Sequence, residues 1–526
     1  MQSFLERYIF FSCFLLFSSL QAAWMPPVDV SDPGGEASYP QIAVDPAGNA
    51  TAVWTSSVGP DYIIQASTKP LGGSWQTKPD ALSNTGTFSI FPHIAFDATG
   101  NATAVWFAAV GLNKSIQASF KPSGGSWQAT PDTVASGLDI DAIEIQIAVD
   151  PAGNATAVWA TSGVIQASTK PFRGHWQTTP DNISSTNAGR PQITVDLAGN
   201  TTAVWLELIG SNYFVQTSTK PFGGHWQATP DTLADTGPYS DYNFPQVAVN
   251  SAGDVTVVWQ NSTGLNGIIQ ASTKPFGGTW QATPDKLSAP GQNAFYPVVA
   301  ADGTTNETIA AWQRYDGTSN IIQASSKPFG GTWQNTPDNL SVSGQNSTAP
   351  QISMDAAGNA TVVWPMGDST YIIQASSKPS DGSWQGIPDT LSTLPTESFN
   401  PHVATDSFGD VTIAVWDGLE GSNAVIQAAD KIYTPKVPTH FSGKLKKWRH
   451  GKLRWLLKTY WKPSQSRDIT SYRIYKGSKL VDIISPDAKL QFTDHLKMRG
   501  STKKYKISAV NSQNQESAKT KLKIKD

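Results

Sequence analysis

Carboxylates interleaved with tyrosines are the side chains of this 526-residue chain best suited to act on a ligand. The densest group is Glu207, Tyr213, Tyr239, Asp241, Tyr242, Tyr296, Arg314, Tyr315 and Asp316. A looser set surrounds it: Asp61, Tyr62, Asp139, Asp141, Glu144, Arg190, Phe244, Phe295, Tyr371, Glu397, Phe399, Asp417 and Glu420. A tyrosine offers a large apolar face with a polar tip, which is why it recurs at recognition sites. Aromatics among carboxylates suit a sugar or a cationic protein surface. Two carboxyls about 5–10 Å apart across a sugar would also serve a glycoside hydrolase. Two classes of function therefore stand. One is a binding or adhesion protein for a carbohydrate or a host or cell-surface protein. The other is a carbohydrate-active hydrolase or lyase.

Other chemistry is thinly represented. The one cysteine, Cys13, lies inside an apolar run near the N-terminus, which leaves a mature chain without disulfides or a thiol nucleophile. His175 and His225 precede repeat tryptophans where other copies have Ser or Thr. Two in register could hold a metal or act as a base, but no third ligand is near in sequence, and variation in a surface turn accounts for them. No Asp-x-Asp-x-Asp-Gly calcium loop occurs. No cofactor and no metal is expected.

The elements that must position these residues are repeats. Pro40-Gln-Ile-Ala-Val-Asp-Pro-Ala-Gly-Asn-Ala-Thr-Ala-Val-Trp54 recurs, ending at Trp54, Trp106, Trp159, Trp205, Trp259, Trp312, Trp364 and Trp416, at intervals of 52, 53, 46, 54, 53, 52 and 52 residues. A second stretch, Ile63 to Trp75, recurs at Trp127, Trp176, Trp226, Trp280, Trp333 and Trp384. Such a period means a repeat architecture. Ile42-Ala-Val and Ala50 to Trp54 read as strands around an Asp45-to-Asn49 turn. Ile63 to Ser67 reads as a third strand, and Ser74-Trp-Gln76 as the start of a fourth. One four-stranded sheet per repeat is the signature of a β-propeller blade. The last repeat lacks its Gly-Gly-x-Trp strand, and Ala23 to Ser31 resembles that strand in other copies. The expectation is an all-β chain: an eight-bladed β-propeller over residues 24–432, closed by the N-terminal strand, then a linker at 433–437 and a C-terminal β-sandwich at 438–526. The strict register of the tryptophans points to core packing rather than sugar stacking. Asn49-Ala-Thr and its copies match a glycosylation acceptor, but their place in one repeated turn makes them a hairpin solution first.

Arg7, the apolar run Tyr8 to Leu20 and Ala22-Ala23 read as a secretory signal peptide over residues 1–23, too short to span a membrane. A secreted, cell-surface or periplasmic product is expected. The formal net charge of −3 hides an asymmetry: residues 437–526 hold 22 Lys+Arg against 6 Asp+Glu, and residues 24–436 hold 15 against 34. The split suggests that the basic C-terminal part rests on the acidic repeats through exposed charge, a contact that salt would weaken. The basic stretch Lys444 to Arg454 could alternatively touch an anionic surface. Nucleic acid is not an expected partner of an exported chain.

Two resemblances follow from these residues. Trp461, Ile469 to Tyr475, Phe492-Thr-Asp494, Tyr505 to Asn511 and Gln515 to Ser517 resemble a fibronectin type III domain, with Trp461 at the family's core tryptophan and Tyr505 at its corner tyrosine. That family implies a spacer or binding module. Thr273-Lys-Pro-Phe-Gly-Gly-Thr-Trp280 resembles the Asp-box of sialidase-type propellers, with Pro275 where the Asp belongs and the same departure in every copy. Sialidase chemistry is not implied. That family clamps a carboxylate with three arginines, and this region has only Arg173, Arg190 and Arg314, not all on one face. The repeats also look like quinone-dependent dehydrogenase propellers, but their Asp-to-Trp spacing is one residue longer, which turns the tryptophan to the other face of its strand.

In a propeller the turns after the first and third strands lie on one face, and the remaining loops on the other. Here the first set is nearly constant and the second varies, the pattern expected where loops carry function. The site is therefore expected on the variable face, around Glu207 to Asp316.

Overall fold

The structure is a computed structural model. It describes residues 24–32, 34–138, 144–238, 244–262, 266–392, 397–421, 423–450, 452–496 and 504–524. Among these there is no helix. The strands from Val28 to Asp430 fall into eight successive units of four, paired as six four-stranded antiparallel sheets and one eight-stranded sheet in which Tyr62 of the first unit pairs in parallel with Phe88 of the second. The first unit is typical: Glu36–Val44, Ala50–Val58, Asp61–Lys69 and Asp80–Ala81. In the eighth, the strands Ser398–Thr405, Thr412–Glu420 and Asn423–Asp430 are joined by Val28–Asp29 from the other end of the chain. Val28 pairs with Ala428 and Asp29 with Gln427. Ser31 Oγ accepts the Ile426 amide at 2.9 Å, as Ser83 Oγ accepts Ile64 in the first unit at 2.8 Å.

The repeated residues are explained by contacts within and between units. Asp45 accepts the Asn49 backbone amide through one oxygen and the Asn49 side chain through the other, both at 2.8 Å. Asn49 Oδ1 then accepts the Leu71 amide at 3.1 Å, which ties the first constant turn to the second. Gly48 closes the hairpin at φ 88°, where a side chain would be strained. In the fifth unit Asn250 and Asp254 exchange roles, and the network survives because one still accepts and the other still bridges.

The eight first-motif tryptophans are fully buried, each against the preceding unit. Trp106 lies among Val53, Ile64, Ala66 and Leu82, and Trp364 among Val298, Ile309, Ala311, Ile322 and Ala324. Trp54, in the first unit, lies among Ile413, Val415, Ile426 and Ala428 of the eighth. The lysine of the second constant turn adds a polar clip to the same neighbour. Lys121 reaches Thr68 at 2.8 Å, Lys220 reaches Thr169 at 2.7 Å and Lys327 reaches Thr273 at 2.9 Å. Elsewhere a carboxylate receives it: Lys170 meets Asp132 at 2.7 Å, and Lys69 of the first unit meets Asp430 of the eighth at 2.9 Å.

The fourth strand begins later than the sequence suggests, at Asp80 rather than Ser74. The reason is a side chain that takes a ladder position. Gln76 Oε1 accepts the Thr68 amide at 2.6 Å, while Gln76 Nε2 donates to Asp80 Oδ2 at 3.2 Å. The backbone at Trp75 is thereby released from pairing.

Beyond residue 432, two four-stranded sheets share a core of Phe441, Leu457, Trp461, Tyr472, Ile474, Leu496, Tyr505, Ile507 and Ala509. Residues 433–437 are not a free tether, because Asn511 Nδ2 donates to the Tyr433 carbonyl at 3.1 Å and Lys436 N donates to Ser466 Oγ at 2.9 Å. Arg467 joins this part to the repeats. Its guanidinium pairs with Asp406, lies 3.6 Å from Asp410 and stacks 4.3 Å over Phe408. The charge asymmetry thus acts through one cation, and its partners are buried rather than solvent-exposed.

Two outcomes follow. Trp24→Ala should cost roughly 3 kcal/mol in chemical denaturation, the low end for a tryptophan truncation because Trp24 is only half-buried. Equal stability of chains starting at Trp24 and at Tyr39 would refute the contribution of the N-terminal strand. Arg467→Ala strands two buried carboxylates and should loosen the C-terminal part by about 3–5 kcal/mol, read as increased proteolysis near residue 435. Raising salt to ~0.5 M should not mimic it, because buried pairs are screened little.

Candidate functional site

The first strands of the eight units touch in an unbroken cycle, with Glu36–Val44 also against Ser398–Thr405. Gln41, Ile42, Ala43 and Val44 are half-exposed, so the space these strands enclose admits solvent. In five units the first strand breaks register before this stretch: at Ser38/Gln41, Ile90/His93, Gly189/Gln192, Phe295/Val298 and Phe399/His402. Such a bulge re-aims a side chain. The residue before the motif proline takes a left-handed backbone: Tyr39 at φ 55°, Phe91 at 55°, Arg190 at 58°, Tyr296 at 49°, Ala349 at 41° and Asn400 at 46°. For a bulky residue this conformation costs about 1–2 kcal/mol. The proline disfavours the ordinary helical region for its predecessor, and the bulge imposes the rest. Strain of this kind at one position in six units leads to a hypothesis of function.

In unit order the residues at this position are Tyr39, Phe91, Glu144, Arg190, Phe244, Tyr296, Ala349 and Asn400, with Ile145 standing in the third unit where the others have proline. Neighbours touch. The Tyr39 and Phe91 rings meet edge to face at 4.6 Å. The Arg190 guanidinium lies 4.0 Å over Phe244, whose ring is 6.0 Å from Tyr296. Glu144 pairs with Arg190 at 3.8 Å and also accepts its backbone amide.

The residue after a core tryptophan holds several of these amides. Thr55 Oγ1 accepts Phe91 N at 3.2 Å, and Gln313 Oε1 accepts Ala349 N at 3.4 Å. In the eighth unit that residue is Asp417. Asn400 Nδ2 donates to its Oδ2 at 2.7 Å, while Oδ1 is buried without a hydrogen-bond partner. Burial pushes the Asp417 carboxyl up to about 7, against the opposing pull of Asn400 and the Tyr39 amide.

Two residues further along the strands lies a second layer: Gln41, His93, Gln146, Gln192, Gln246, Val298, Gln351 and His402. Gln41 Nε2 and His402 Nε2 are 3.0 Å apart. Burial lowers His93 to about 4, and burial with the charge of His93 lowers His402 to about 3. Both rings are therefore neutral near pH ~7 and add donors and acceptors to the amides without adding charge.

The residues singled out from the sequence fall in different places. Tyr296 belongs to the first layer, as do Glu144, Arg190 and Phe244 of the wider set. Glu207 is buried and accepts Trp205 Nε1 at 3.0 Å and the Ser185 hydroxyl, so local donors engage its carboxylate. Tyr213 is half-buried against Leu206 and Trp259. Arg314 donates to Gln323 Oε1 at 3.5 Å. Exposed Tyr315 donates its hydroxyl to the Gly317 carbonyl at 3.0 Å. Asp316 organises a turn by accepting Ser343 Oγ at 2.5 Å, Thr318 N at 2.8 Å and Ser319 N at 2.9 Å, and these bonds, Ser343 first, hold its carboxyl low. Tyr239, Asp241 and Tyr242 lie outside the described residues.

Sequence reasoning missed Tyr39, Phe91, His93, Asn400 and His402. The available signal was a position just before the motif proline, or before Ile145 in the third copy, that changes type from each copy to the next. Cavities of 610 Å³ beside Lys431 and 500 Å³ beside His175 and Lys220 open at the constant turns, where the lysine clips cross between units. No group of three or more His, Cys, Asp or Glu suited to a metal occurs among the described residues.

No family model and no curated protein matches the chain. A Dyadobacter fermentans protein of unknown function is similar in fold, 10% identical at a TM-score of 0.40, with 78% of this chain and 99% of that one covered. Polysaccharide lyase Uly1 is 9% identical at 0.43, covering 70% and 94%. Penicillium chrysogenum α-L-arabinanase, complexed with arabinobiose, is 11% identical at 0.37, covering 56% and 95%. The likeness is one of propeller-type, all-β architecture, and at this level it carries no functional argument.

Asp417 gives a pH signature. A carboxyl raised to about 7 stabilises the fold only while protonated, so its contribution is intact below the unfolded value near ~4 and is lost as pH rises through about 7. Asp417→Asn, neutral throughout, should change stability little near pH ~4 and raise it near pH ~8, by at most about 4 kcal/mol. Thermal melts at both pH values check this, and a variant destabilised equally at both would refute the raised pKa.

Proposed function

We propose that residues 24–432 are an eight-bladed β-propeller closed by the N-terminal strand, exported by a leader at 1–23 and followed by a fibronectin type III-like sandwich at 438–526. We infer that its function is to bind a neutral carbohydrate at the channel mouth lined by the pre-proline residues. The observation that carries this reading is the strained ring itself, which holds two aromatic pairs, Tyr39–Phe91 and Phe244–Tyr296, above a layer of amides and neutral imidazoles. In an eight-membered cycle the two pairs stand four units apart, on opposite sides of the mouth. Aromatic faces suit the C–H faces of a sugar, and amides suit its hydroxyls. Glu144 and Arg190 neutralise each other, which favours a neutral glycan over a cationic protein surface. Tyr213, Tyr239, Asp241, Tyr242, Arg314, Tyr315 and Asp316 belong to the same stretch of chain as Phe244 and Tyr296, and are the proposed outer wall. Glu207 supports them from beneath through Trp205.

One observation favours a second reading, a carbohydrate-active hydrolase or lyase. Asp417, at about 7, has the protonation behaviour of a general acid or base, and its Oδ1 is free of hydrogen bonds. Hydrolysis by the usual route needs a second carboxyl, and Glu144, the other carboxylate of the ring, is engaged by Arg190.

A glycan array with the full chain tests the first reading. Neutral oligosaccharides should bind, and Tyr39→Ala with Phe91→Ala should weaken binding at least ~10-fold, about 1.4 kcal/mol, while the fold is retained. Binding only to host proteins, or binding insensitive to both substitutions, would refute it. Release of reducing ends from a bound glycan, abolished by Asp417→Asn, would establish the second.

A further inference from the structure

The sheet formed by Thr439–His450, Lys452–Lys462, Gln491–Leu496 and Lys523–Ile524 has one face in the core and one in solvent. Its register assigns residues to each. Leu445 pairs with Leu457, and both pack in the core. The alternate positions are therefore on the outer face: Lys444 opposite Lys458, Lys446 opposite Leu456, and Ser442 beside both Tyr460 and Lys523. Lys444, Lys446, Lys458, Tyr460 and Lys523 are exposed. Thr493, His495 and Gln491 continue this face on the neighbouring strand, by pairing with Lys458, Leu456 and Tyr460. Asp494, on that same strand, pairs with Leu457 on the core side, where Lys476 and Tyr505 hold it. Among the described residues no carboxylate forms an ion pair with any of the four lysines.

Like charges directly opposite on paired strands destabilise a sheet, so the Lys444–Lys458 pair works against the fold it belongs to. A single exposed lysine needs no explanation. Four on one flat face, two of them opposed and none compensated, need an external anion. Their spacing fits an extended one, because charges recur at about 5 Å across the strands and about 7 Å along them.

We propose that this face binds an acidic polysaccharide, carboxylated or sulfated, with Tyr460 as its sugar-stacking side chain. An anionic membrane is the weaker occupant. Among the side chains described, the largest exposed ring on the face is a tyrosine, Leu456 is half-buried, and no cluster of exposed large apolar groups would enter a bilayer. The rest of the chain does not compete for the ligand, because residues 24–436 carry 34 Asp+Glu against 15 Lys+Arg. This assignment does not depend on the neutral-sugar reading of the ring, and each can fail alone.

The test uses the full chain with four probes: polygalacturonate, dextran sulfate, neutral dextran, and vesicles of phosphatidylcholine with about one-third phosphatidylserine. The expected result is binding to the two polyanions, weakened at least ~10-fold between ~0.05 and ~0.3 M salt, with none to neutral dextran. The Lys444, Lys446, Lys458 and Lys523→Ala quadruple variant should lose it. The corresponding Lys→Arg variant should keep it, and Tyr460→Ala should weaken it with the salt dependence unchanged. These four residues are exposed, so the Lys→Arg variant should keep the melting midpoint of the parent, and the alanine variant, relieved of the Lys444–Lys458 repulsion, should melt at or above it. Failure of both polyanions to bind, persistence of binding in the alanine variant, or preference for the vesicles would each overturn the proposal.

Discussion

A tryptophan that belongs to one sheet but is buried by the sheet before it makes every unit depend on its neighbour. No unit covers its own largest apolar side chain. Trp106 is covered by the strands that carry Val53 and Ile64, and Trp54 by those that carry Ile413 and Ile426. The second dependence reaches across the join between the chain ends, and it is what keeps the first unit from presenting a bare face. The lysine clips run in the same direction, from a third strand back to the preceding unit, and include Lys69 to Asp430. Apolar burial supplies the adhesion and the clips fix the register. Most of these lysines are partly desolvated, and burial accordingly lowers Lys121, Lys220 and Lys327 and takes Lys431 to about 8.

That rigidity is what permits strain further in. A left-handed Tyr39 or Phe91 would relax in an isolated hairpin, because nothing there would oppose it. Here the proline after it is buried, the following residues are locked in the first-strand ladder, and its amide is held by a side chain from the preceding unit. Three constraints act on one residue. The scaffold therefore fixes where the ring side chain starts and leaves its type free, and six copies of one backbone device present aromatic, charged, amide and small side chains.

The scaffold was legible in the sequence because its physics repeats. Period, turn chemistry and tryptophan register all point the same way, and the Asn250–Asp254 exchange shows that the turn needs a hydrogen-bond pattern rather than fixed residue types. The fourth strand was misplaced because Gln76 acts there as a substitute for backbone, which residue propensity does not reveal. The ring was illegible for a related reason. Its defining property is a backbone bulge, and the residues at that position share no chemistry from which to recognise one another. Carboxylates show the converse problem. Glu207, Asp316 and Asp417 look alike in the sequence, yet the first two are engaged by local donors, while the third keeps one oxygen free in a buried place.

Charge then separates two surfaces of the same chain. At the ring, Glu144 and Arg190 offset each other and the histidines are held neutral, so selection there rests on shape, stacking and amide donors, with Asp417, raised to about 7, as the group that pH can charge. On the outer face of the C-terminal sheet the four lysines have no carboxylate partner among the described residues, and any selection rests on charge, which salt screens. Arg467 shows why the two do not interfere. It pairs with buried Asp406 and Asp410, and so fixes the C-terminal part on the constant-turn side of the repeats. The bulged ends of the first strands lie away from those turns, and the lysine face stays exposed. One buried ion pair thus joins two parts of opposite charge without consuming the charge that distinguishes the second surface.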